Sequence, residues 1–330
     1  MYKVYITDTI FENMEPETEI LAEIGAEVIS LNCTNAAELK EKAKDADALL
    51  NTYLPGIDGY IMDSMKNLKV IVRYGIGINT IDIGAATKRG IQVANVPDYC
   101  LHEVSDHAVA LALDLVRKIT MSNTRIKKNQ DYSLAYLKPI RGMQRAIVTI
   151  IGFGRIGKLI ATKLVGFGCS IHFYDPFLEK DYCNDGLLVR KSNFNETIEN
   201  SDIIIIQAPS TKDNYHMLDA KAFSRMKKKP YIINTARGEL IDRKALVEAL
   251  KQGSISGAAL DVVENMPPVK ADDELLRFDN VILTPHSAWF SENALTQLQR
   301  LAAAEVLRVF KGGWVKSLIN PEVKKVGLVI

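Results

Sequence analysis

The chain has 330 residues, a formal net charge of +1, 47% hydrophobic residues and 25% charged residues. These values are typical of a globular protein with about two domains, and the near-neutral charge gives no electrostatic case for binding nucleic acid or an anionic membrane. No apolar run approaches the roughly 18 residues that span a bilayer. The four cysteines are widely spaced without a C-x-x-C pattern, and the first residues have a strand pattern instead of a signal-peptide core. We therefore expect a cytoplasmic protein.

Short apolar strands alternate with amphipathic helices in the first part of the chain. This alternation predicts a mostly parallel sheet covered by helices, with ligands beyond the carboxyl ends of the strands. The predicted strands span residues 4–6, 27–30, 48–51, 69–72 and 92–94, and the helices between them span 15–24, 36–43, 59–65 and 80–89.

One predicted strand end carries a candidate anion site. Arg73, Tyr74, Gly75, Ile76 and Gly77 follow the strand at 69–72 in direct succession. The glycines leave backbone N–H groups free to hold an anion, and Arg73 adds a forked cation suited to a carboxylate. A tight turn with a surface arginine explains these residues equally well.

The pattern breaks at residues 95–99, where a proline disfavours helix immediately before it. We predict a crossing into a second domain at 96–104 and one long helix over about 104–129. Within it, His102 and His107 resemble the histidine pair of a zinc protease. They stand five positions apart, about 140° around a helix, and do not share a face. We therefore reject a metal site.

The chain is organised around a G-x-G-x-x-G pattern at Gly152, Gly154 and Gly157. The pattern follows an apolar strand and precedes a helix, which is the context that binding of a dinucleotide pyrophosphate requires. After the next strand, Asp175 stands eighteen residues past Gly157, where a carboxylate accepts hydrogen bonds from the adenosine ribose. Because an acid there repels a 2′-phosphate, the pattern indicates NAD in preference to NADP. A plain strand–helix–strand crossover with a glycine turn is the alternative.

The region after this loop predicts a doubly wound dinucleotide-binding domain, since strands and helices again alternate. A further helix is predicted over about 291–310, and the residues after 311 are expected to return to the N-terminal domain. The predicted strands span 146–151, 170–174, 187–190, 202–206, 231–234, 257–260 and 280–283.

Two residues at strand ends suit the chemistry of a nicotinamide enzyme. Such an enzyme needs a group that binds the substrate's carbonyl or carboxylate and a proton donor beside the reacting oxygen. Arg237 is a suitable anion clamp, and His286 is a suitable proton donor because histidine as a residue type titrates near working pH. A lone histidine after a strand is more often structural, but the topology brings both loops to the cofactor's edge of the sheet.

The motifs together resemble the D-isomer-specific 2-hydroxyacid dehydrogenase family. Residues 284–292 (TPHSAWFSE) are especially similar to the branch that contains the C-terminal-binding corepressors. The resemblance covers essentially the whole chain, and its motifs are VRYGIG at 72–77, NVP at 95–97, the glycine loop, NTARG at 234–238, ALDV at 259–262 and TPH at 284–286.

This resemblance implies an α/β fold of two domains. A Rossmann NAD-binding domain, residues 100–289, is inserted into a discontinuous flavodoxin-like substrate domain, residues 1–99 plus 290–330. It implies hydride transfer between NADH and a 2-oxo acid, which gives a D-2-hydroxy acid. It also implies a homodimer, with the long helix after residue 103 contributing to the interface.

The resemblance further assigns roles to residues of this chain. Arg237 binds and polarises the 2-oxo group and the carboxylate, and His286 donates the proton. The loop at 73–77 holds the carboxylate, through Gly75 and Ile76 among others, while Leu54, Arg73, Tyr74 and Trp289 line the pocket. Contacts to NAD are expected from Gly152, Gly154, Arg155, Ile156, Gly157, Asp175, Ala208, Pro209, Asn214, Thr235, Ala236, Asp261, His286 and Ala288. Gln207 stands where many members have histidine, which we expect to alter only a supporting hydrogen bond.

One position departs from the family's pattern. The acidic partner of the histidine, five residues after Asp261, is replaced by Met266. Methionine does not stabilise an imidazolium, so His286 loses electrostatic support. Three interpretations follow: catalysis persists with a lower pH optimum for reduction, Glu264 substitutes, or the protein is a catalytically weak NAD(H)-sensing interaction protein of the corepressor type.

Overall fold

The computed structural model describes residues 1–178, 188–191, 193–265 and 270–326. The chain divides into two compact units, Met1–Cys100 with Phe290–Ile330, and Leu101–Trp289. The sequence had assigned Cys100 to the second domain. It is buried, at 1% exposure, and it falls in the first unit because the helix that opens the second unit begins one residue later.

The described residues of the first unit form a five-stranded sheet in the order β2-β1-β3-β4-β5. All neighbouring strands are parallel, and this order is that of flavodoxin-like folds. Residues Val70 and Val72 face one apolar layer and Ile71 faces the other. The strands are β1 Lys3–Ile6, β2 Glu27–Ser30, β3 Ala48–Asn51, β4 Val70–Arg73 and β5 Gln92–Asn95.

The helices that cover this sheet are shorter than predicted. The fourth helix was expected from residue 80 but begins at Ile83, because the Asp82 side chain accepts a hydrogen bond from Ala85 N and caps it there. The third ends at Met62 instead of 65. The helices are α1 Glu15–Leu21, continued by a 3₁₀ turn Ala22–Ile24, then α2 Ala36–Lys42, α3 Gly59–Met62 and α4 Ile83–Lys88.

The described part of the second unit forms a seven-stranded sheet in the order β12-β11-β10-β9-β6-β7-β8. All its strands are parallel, and the order reverses between β6 and β9, which is the topological switch point of a doubly wound fold. The predicted α/β fold class is therefore confirmed. The strands are β6 Ile147–Ile151, β7 Ser170–Tyr174, β8 Leu188–Arg190, β9 Ile203–Ile206, β10 Tyr231–Asn234, β11 Gly257–Leu260 and β12 Val281–Leu283.

The helix predicted over 104–129 is two helices. Lys118 adopts a left-handed conformation, with φ of 54°, and separates α5 Leu101–Arg117 from α6 Ile119–Asn129. One face of α5 is buried, whereas none of the residues of α6 is. The other helices of this unit are α7 Arg155–Val165, α8 Phe194–Glu199, α9 Ala220–Arg225 and α10 Arg243–Lys251.

The last helix, α11 Glu292–Phe310, packs on α1 and β4 of the first unit. The chain after it pairs with β5, where Asn320 Oδ1 accepts a hydrogen bond of 2.9 Å from Val93 N. Among the described helices, none is both long and apolar enough to cross a membrane.

His172 on β7 is half-buried, and this burial makes folding sensitive to acid. Burial lowers the pKa of its imidazole from 6.5 to about 4, with smaller contributions from the positive charges of Lys191 and Lys228. Since the unfolded chain then binds the proton first, the free energy of unfolding falls as the pH falls from about 6.5 towards about 4. We expect His172→Gln to flatten this dependence in urea unfolding at several pH values, and His102→Gln, at an exposed histidine, to leave it unchanged. An equal slope in wild type and His172→Gln would contradict the assignment.

Candidate active site

The glycine loop lies at the switch point of the second sheet, and two of its glycines are required by close packing. Gly152 has φ of +90°, and a Cβ there would lie 2.6 Å from Ala208 N. A Cβ on Gly157 would lie 2.4 Å from the carbonyl oxygen of Gly152. These contacts match the roles predicted for the first and third glycines, a tight turn and close helix–sheet packing.

Gly154 is different, because a Cβ there would meet no protein atom within 4 Å. It is exposed and precedes α7 without a side-chain cap. The space beside Gly154 at the helix N-terminus is therefore open, and the positive dipole end of a helix favours an anion there. Arg155 and Ile156 form the first turn of this helix. The arrangement fits the pyrophosphate of a dinucleotide.

Asp175 is held beside the glycine loop. Its Oδ2 accepts a hydrogen bond of 2.8 Å from Phe153 N, and its Oδ1 accepts one of 3.0 Å from Phe177 N. A carboxylate offers about four acceptor positions, so it retains capacity for ribose hydroxyls. The negative charge opposes a phosphate at the same place.

The loop after β9 is organised by its own side chains. Asn214 donates a 2.7 Å hydrogen bond to the carbonyl oxygen of Pro209 and accepts one of 2.7 Å from Thr211 N. Gln207 donates to Thr235 Oγ1, which supports the expectation that Gln207 affects a supporting hydrogen bond. Asn214 thus shapes the loop, a role that the sequence pattern did not indicate.

The loop after β10 holds Arg237 from both sides. The fully buried Asn234 donates to the carbonyl oxygen of Arg237 at 2.8 Å and accepts from Ala236 N at 3.0 Å. A Cβ on Gly238 would lie 2.3 Å from the backbone carbon of Val263, so this loop packs closely on the next one. The half-buried Arg237 donates from Nη1 to the carbonyl oxygen of Ala236 at 2.7 Å. The structure therefore presents its guanidinium on a braced loop.

The loop after β12 carries His286 and is anchored on Asp261. The carboxylate of Asp261, at 1% exposure, accepts hydrogen bonds from Thr284 Oγ1 at 2.6 Å, Ser287 N at 2.8 Å and Ala288 N at 3.0 Å. Its carbonyl oxygen accepts from His286 N at 3.0 Å. His286 is exposed and has φ of +55°. The sequence assigned Asp261 and Ala288 to the cofactor and did not indicate that they shape this loop.

Glu264 has partners that the sequence did not reveal. Its Oε1 accepts hydrogen bonds of 2.8 Å from both Tyr215 Oη and His216 Nε2, and the two rings stack with centroids 3.9 Å apart. The carboxylate therefore ties the loop after β11 to the segment before α9. Met266 lies outside the described residues.

The loop at 73–77 belongs to the first unit. Its first residue, Arg73, lies with its guanidinium carbon 5.0 Å from the centroid of the Tyr53 ring, and burial lowers the pKa of the guanidinium. Gly75 has φ of +125°, and the carbonyl oxygen of the exposed Ile76 accepts a 2.7 Å hydrogen bond from Asn95 Nδ2. These contacts give the turn a defined shape with a cation at its start.

Tyr74 does not line a pocket, and the expectation that it does is wrong. Its side chain is 1% exposed and packs in the apolar layer with Val70 and Val72. Its hydroxyl donates a 2.5 Å hydrogen bond to the buried Glu17. Of the other predicted pocket residues, Leu54 is exposed and Trp289 is half-buried.

Within the ranges that the structure describes, no three histidine, cysteine or acidic side chains come together as a metal-binding group.

A doubly wound sheet with an open glycine loop at its switch point, followed by an acid after the second strand, defines a dinucleotide-binding protein.

Comparison with known proteins gives the family. Residues 109–288 match the family described as D-isomer specific 2-hydroxyacid dehydrogenase, NAD binding domain. The chain is 36% identical over 332 aligned positions to a glyoxylate reductase of Thermofilum pendens, covering 98% of this chain and 96% of the relative. The chain therefore belongs to the D-isomer specific 2-hydroxyacid dehydrogenase family and is an NAD-dependent oxidoreductase.

Two further similar proteins show that members of this family differ in the reactions for which they are named. The chain is 34% identical to a D-3-phosphoglycerate dehydrogenase of Methanocaldococcus jannaschii, covering 97% of this chain but only 60% of that relative. Its fold matches the crystal structure of D-lactate dehydrogenase with NAD+ from Lactobacillus jensenii with a TM-score of 0.81 and 26% identity, over 96% of this chain and 99% of that one.

Proposed function

We propose that this protein reduces a small 2-oxo acid to a D-2-hydroxy acid with NADH. The observation that carries the proposal is the pair of braced loops at the carboxyl ends of β10 and β12, which present Arg237 and His286. These strands belong to the same parallel sheet as the glycine loop, so their carboxyl ends lie at one edge. The glyoxylate reductases among its relatives support a small 2-oxo acid as substrate.

In this proposal each residue has a defined task. Bound NADH supplies the hydride. Arg237 binds the substrate carboxylate and polarises the carbonyl oxygen, for which a forked guanidinium is suited. His286 donates a proton to that oxygen as it gains charge. The loop at 73–77 holds the carboxylate through its backbone and Arg73.

NAD is held by the second unit. Gly154 and the N-terminus of α7, where the structure leaves space, would hold the pyrophosphate, and Asp175 would accept hydrogen bonds from the ribose. The other predicted contacts are Gly152, Arg155, Ile156, Gly157, Ala208, Pro209, Asn214, Thr235, Ala236, Asp261 and Ala288.

We propose that His286 works without a carboxylate partner at position 266. Glu264, the candidate substitute, is engaged by Tyr215 and His216 at 2.8 Å, which favours the interpretation of a lower pH optimum over that of a substituted acid. An imidazolium that lacks a carboxylate at position 266 is less favoured, by 1.36 kcal/mol for each pKa unit lost.

Met266→Glu tests this interpretation. A carboxylate at 266 stabilises the imidazolium, so the apparent pKa that governs reduction should rise and the alkaline limb of the rate profile should move to higher pH. The measurement is kcat/KM for the 2-oxo acid as a function of pH, with Met266→Gln as the matched uncharged control. An unchanged profile for Met266→Glu would argue that Glu264 already serves or that His286 is not the acid.

A screen of 2-oxo acids tests the proposed function itself. NADH oxidation is followed by absorbance with small, bulky apolar and dicarboxylic 2-oxo acids, from acidic to mildly alkaline pH, with NADPH as the comparison coenzyme. Turnover with NADH and its near absence with NADPH are expected. Tight NADH binding without any turnover would overturn the proposal and favour the corepressor-type sensor. The sequence features that suggest this alternative are the segment at 284–292 and Met266.

We also propose a cytoplasmic homodimer. Support for a partner surface comes from α6 and the chain after it, where Ile119, Tyr132 and Leu134 are 58%, 77% and 73% exposed. Support for a reducing compartment comes from the buried cysteine thiols of Cys33, Cys100 and Cys169. Analytical ultracentrifugation of wild type and Leu134→Glu tests the dimer.

A further inference from the structure

His107 on α5 contacts the base of the loop that carries His286. Its Nε2 lies 3.1 Å from Thr284 Oγ1 and 3.7 Å from Asp261 Oδ1. The histidine side chain is 24% exposed, and that of Asp261 is 1% exposed. His107 is one of the two histidines, with His102, whose spacing does not allow a shared metal ion.

The direction of these hydrogen bonds follows from the number of protons. The Thr284 hydroxyl has one hydrogen, and it donates this hydrogen to Asp261 Oδ1 at 2.6 Å. Thr284 Oγ1 can therefore act toward His107 only as an acceptor, so His107 carries a proton on Nε2. The result is a directed chain from His107 through Thr284 to Asp261.

The chain ends on the group that sets the conformation of the loop. A buried carboxylate is costly unless donors surround it, and Asp261 obtains its donors from Thr284, Ser287 and Ala288. If His107 no longer holds Thr284, the hydroxyl is free to turn from Asp261 and the loop loses one anchor. His286 lies between these anchors, in a left-handed conformation that is uncommon for residues other than glycine.

We propose that His107 is a positioning residue, which orients the His286 loop through Thr284 and Asp261; the inference rests on the proposed role of His286 as proton donor. Its importance is increased by Met266, since methionine replaces the carboxylate that the family resemblance places beside the catalytic histidine. Without that carboxylate, the orientation of His286 depends more strongly on the hydrogen bonds that anchor the backbone of its loop.

Two variants separate positioning from simple packing. His107→Gln places an amide donor near the Nε2 position, whereas His107→Leu fills the space without a donor. We expect His107→Leu to lower kcat for the 2-oxo acid by about tenfold to hundredfold, as small misplacements of catalytic groups do. His107→Gln should keep most of the rate. The Kd for NADH, from fluorescence titration, should stay within about twofold in both.

Hydrogen exchange of the Ser287 and Ala288 amides gives a second readout that needs no turnover. His107→Leu should speed their exchange and His107→Gln should not, while His102→Leu, on the exposed side of the same helix, serves as the control. Unchanged exchange in His107→Leu, or equal loss of kcat in the two His107 variants, overturns the inference. If the wild-type enzyme shows no turnover with any 2-oxo acid, only the proposed function is overturned. Hydrogen exchange of the Ser287 and Ala288 amides then tests whether His107 positions the loop.

Discussion

His286→Asn is expected to lower kcat for reduction of a 2-oxo acid by about 10²- to 10⁴-fold, the usual contribution of a general acid. Asparagine is chosen because it tolerates the left-handed backbone, with φ of +55°, that His286 adopts. The backbone N–H of residue 286 can still donate to the carbonyl oxygen of Asp261. The loop should therefore keep its shape while the proton donor is lost.

His286→Ala is the comparison that isolates chemistry from strain. Alanine in the left-handed region costs about 1–2 kcal/mol, so this variant should lose both kcat and some thermal stability. His286→Asn should lose kcat with little change in Tm. The measurements are steady-state NADH oxidation and thermal unfolding of both variants. If His286→Asn retained more than about a tenth of the wild-type kcat, His286 would not be the proton donor.

The parallel direction of the strands was predictable because it follows from the local alternation of strands and helices. Alternating strands and helices define parallel sheets, and the strand ends then place Gly152, Arg237 and His286 at one edge of the second sheet. Breaks within helices were harder to predict from the sequence. Lys118 breaks the helix through its left-handed backbone conformation, and a lysine at that position does not mark a break in the sequence.

The burial of Tyr74 follows from the alternation of the strand that precedes it. Alternate residues of a strand share a face, and Val70, Val72 and Tyr74 fall in the same apolar layer. Continuing this alternation by one step past β4 predicts that Tyr74 is buried in that layer.

The supporting contacts of the site could not be predicted, since they join residues distant in the sequence. His107 and Thr284 are 177 positions apart, and His216 and Glu264 are 48 apart. No local periodicity relates such pairs. Their contacts depend on how α5 packs on the sheet and how neighbouring loops meet, which only the assembled fold defines.

Two alanine substitutions in the glycine loop should both weaken NADH binding, but only one of them should destabilise the fold. Gly157→Ala places a Cβ 2.4 Å from the carbonyl oxygen of Gly152, so the backbone must move. Overpacking of this kind costs about 1–3 kcal/mol, or roughly 3–10 °C in Tm for a unit of this size. NADH binding should weaken with it, because the turn at Gly152 is displaced.

Gly154→Ala is the matched variant, since its Cβ meets no protein atom within 4 Å. Its backbone conformation, with φ of −73°, is open to alanine, so Tm should change by no more than about 2 °C. The added methyl group occupies the space through which a pyrophosphate reaches the N–H groups of α7, and the Kd for NADH should rise about tenfold or more, equivalent to about 1.4 kcal/mol. Thermal unfolding and NADH titration of both variants check the pair. Wild-type affinity in Gly154→Ala would show that the pyrophosphate does not lie over this glycine, because no change in the protein's own packing can compensate for a contact that only the ligand makes.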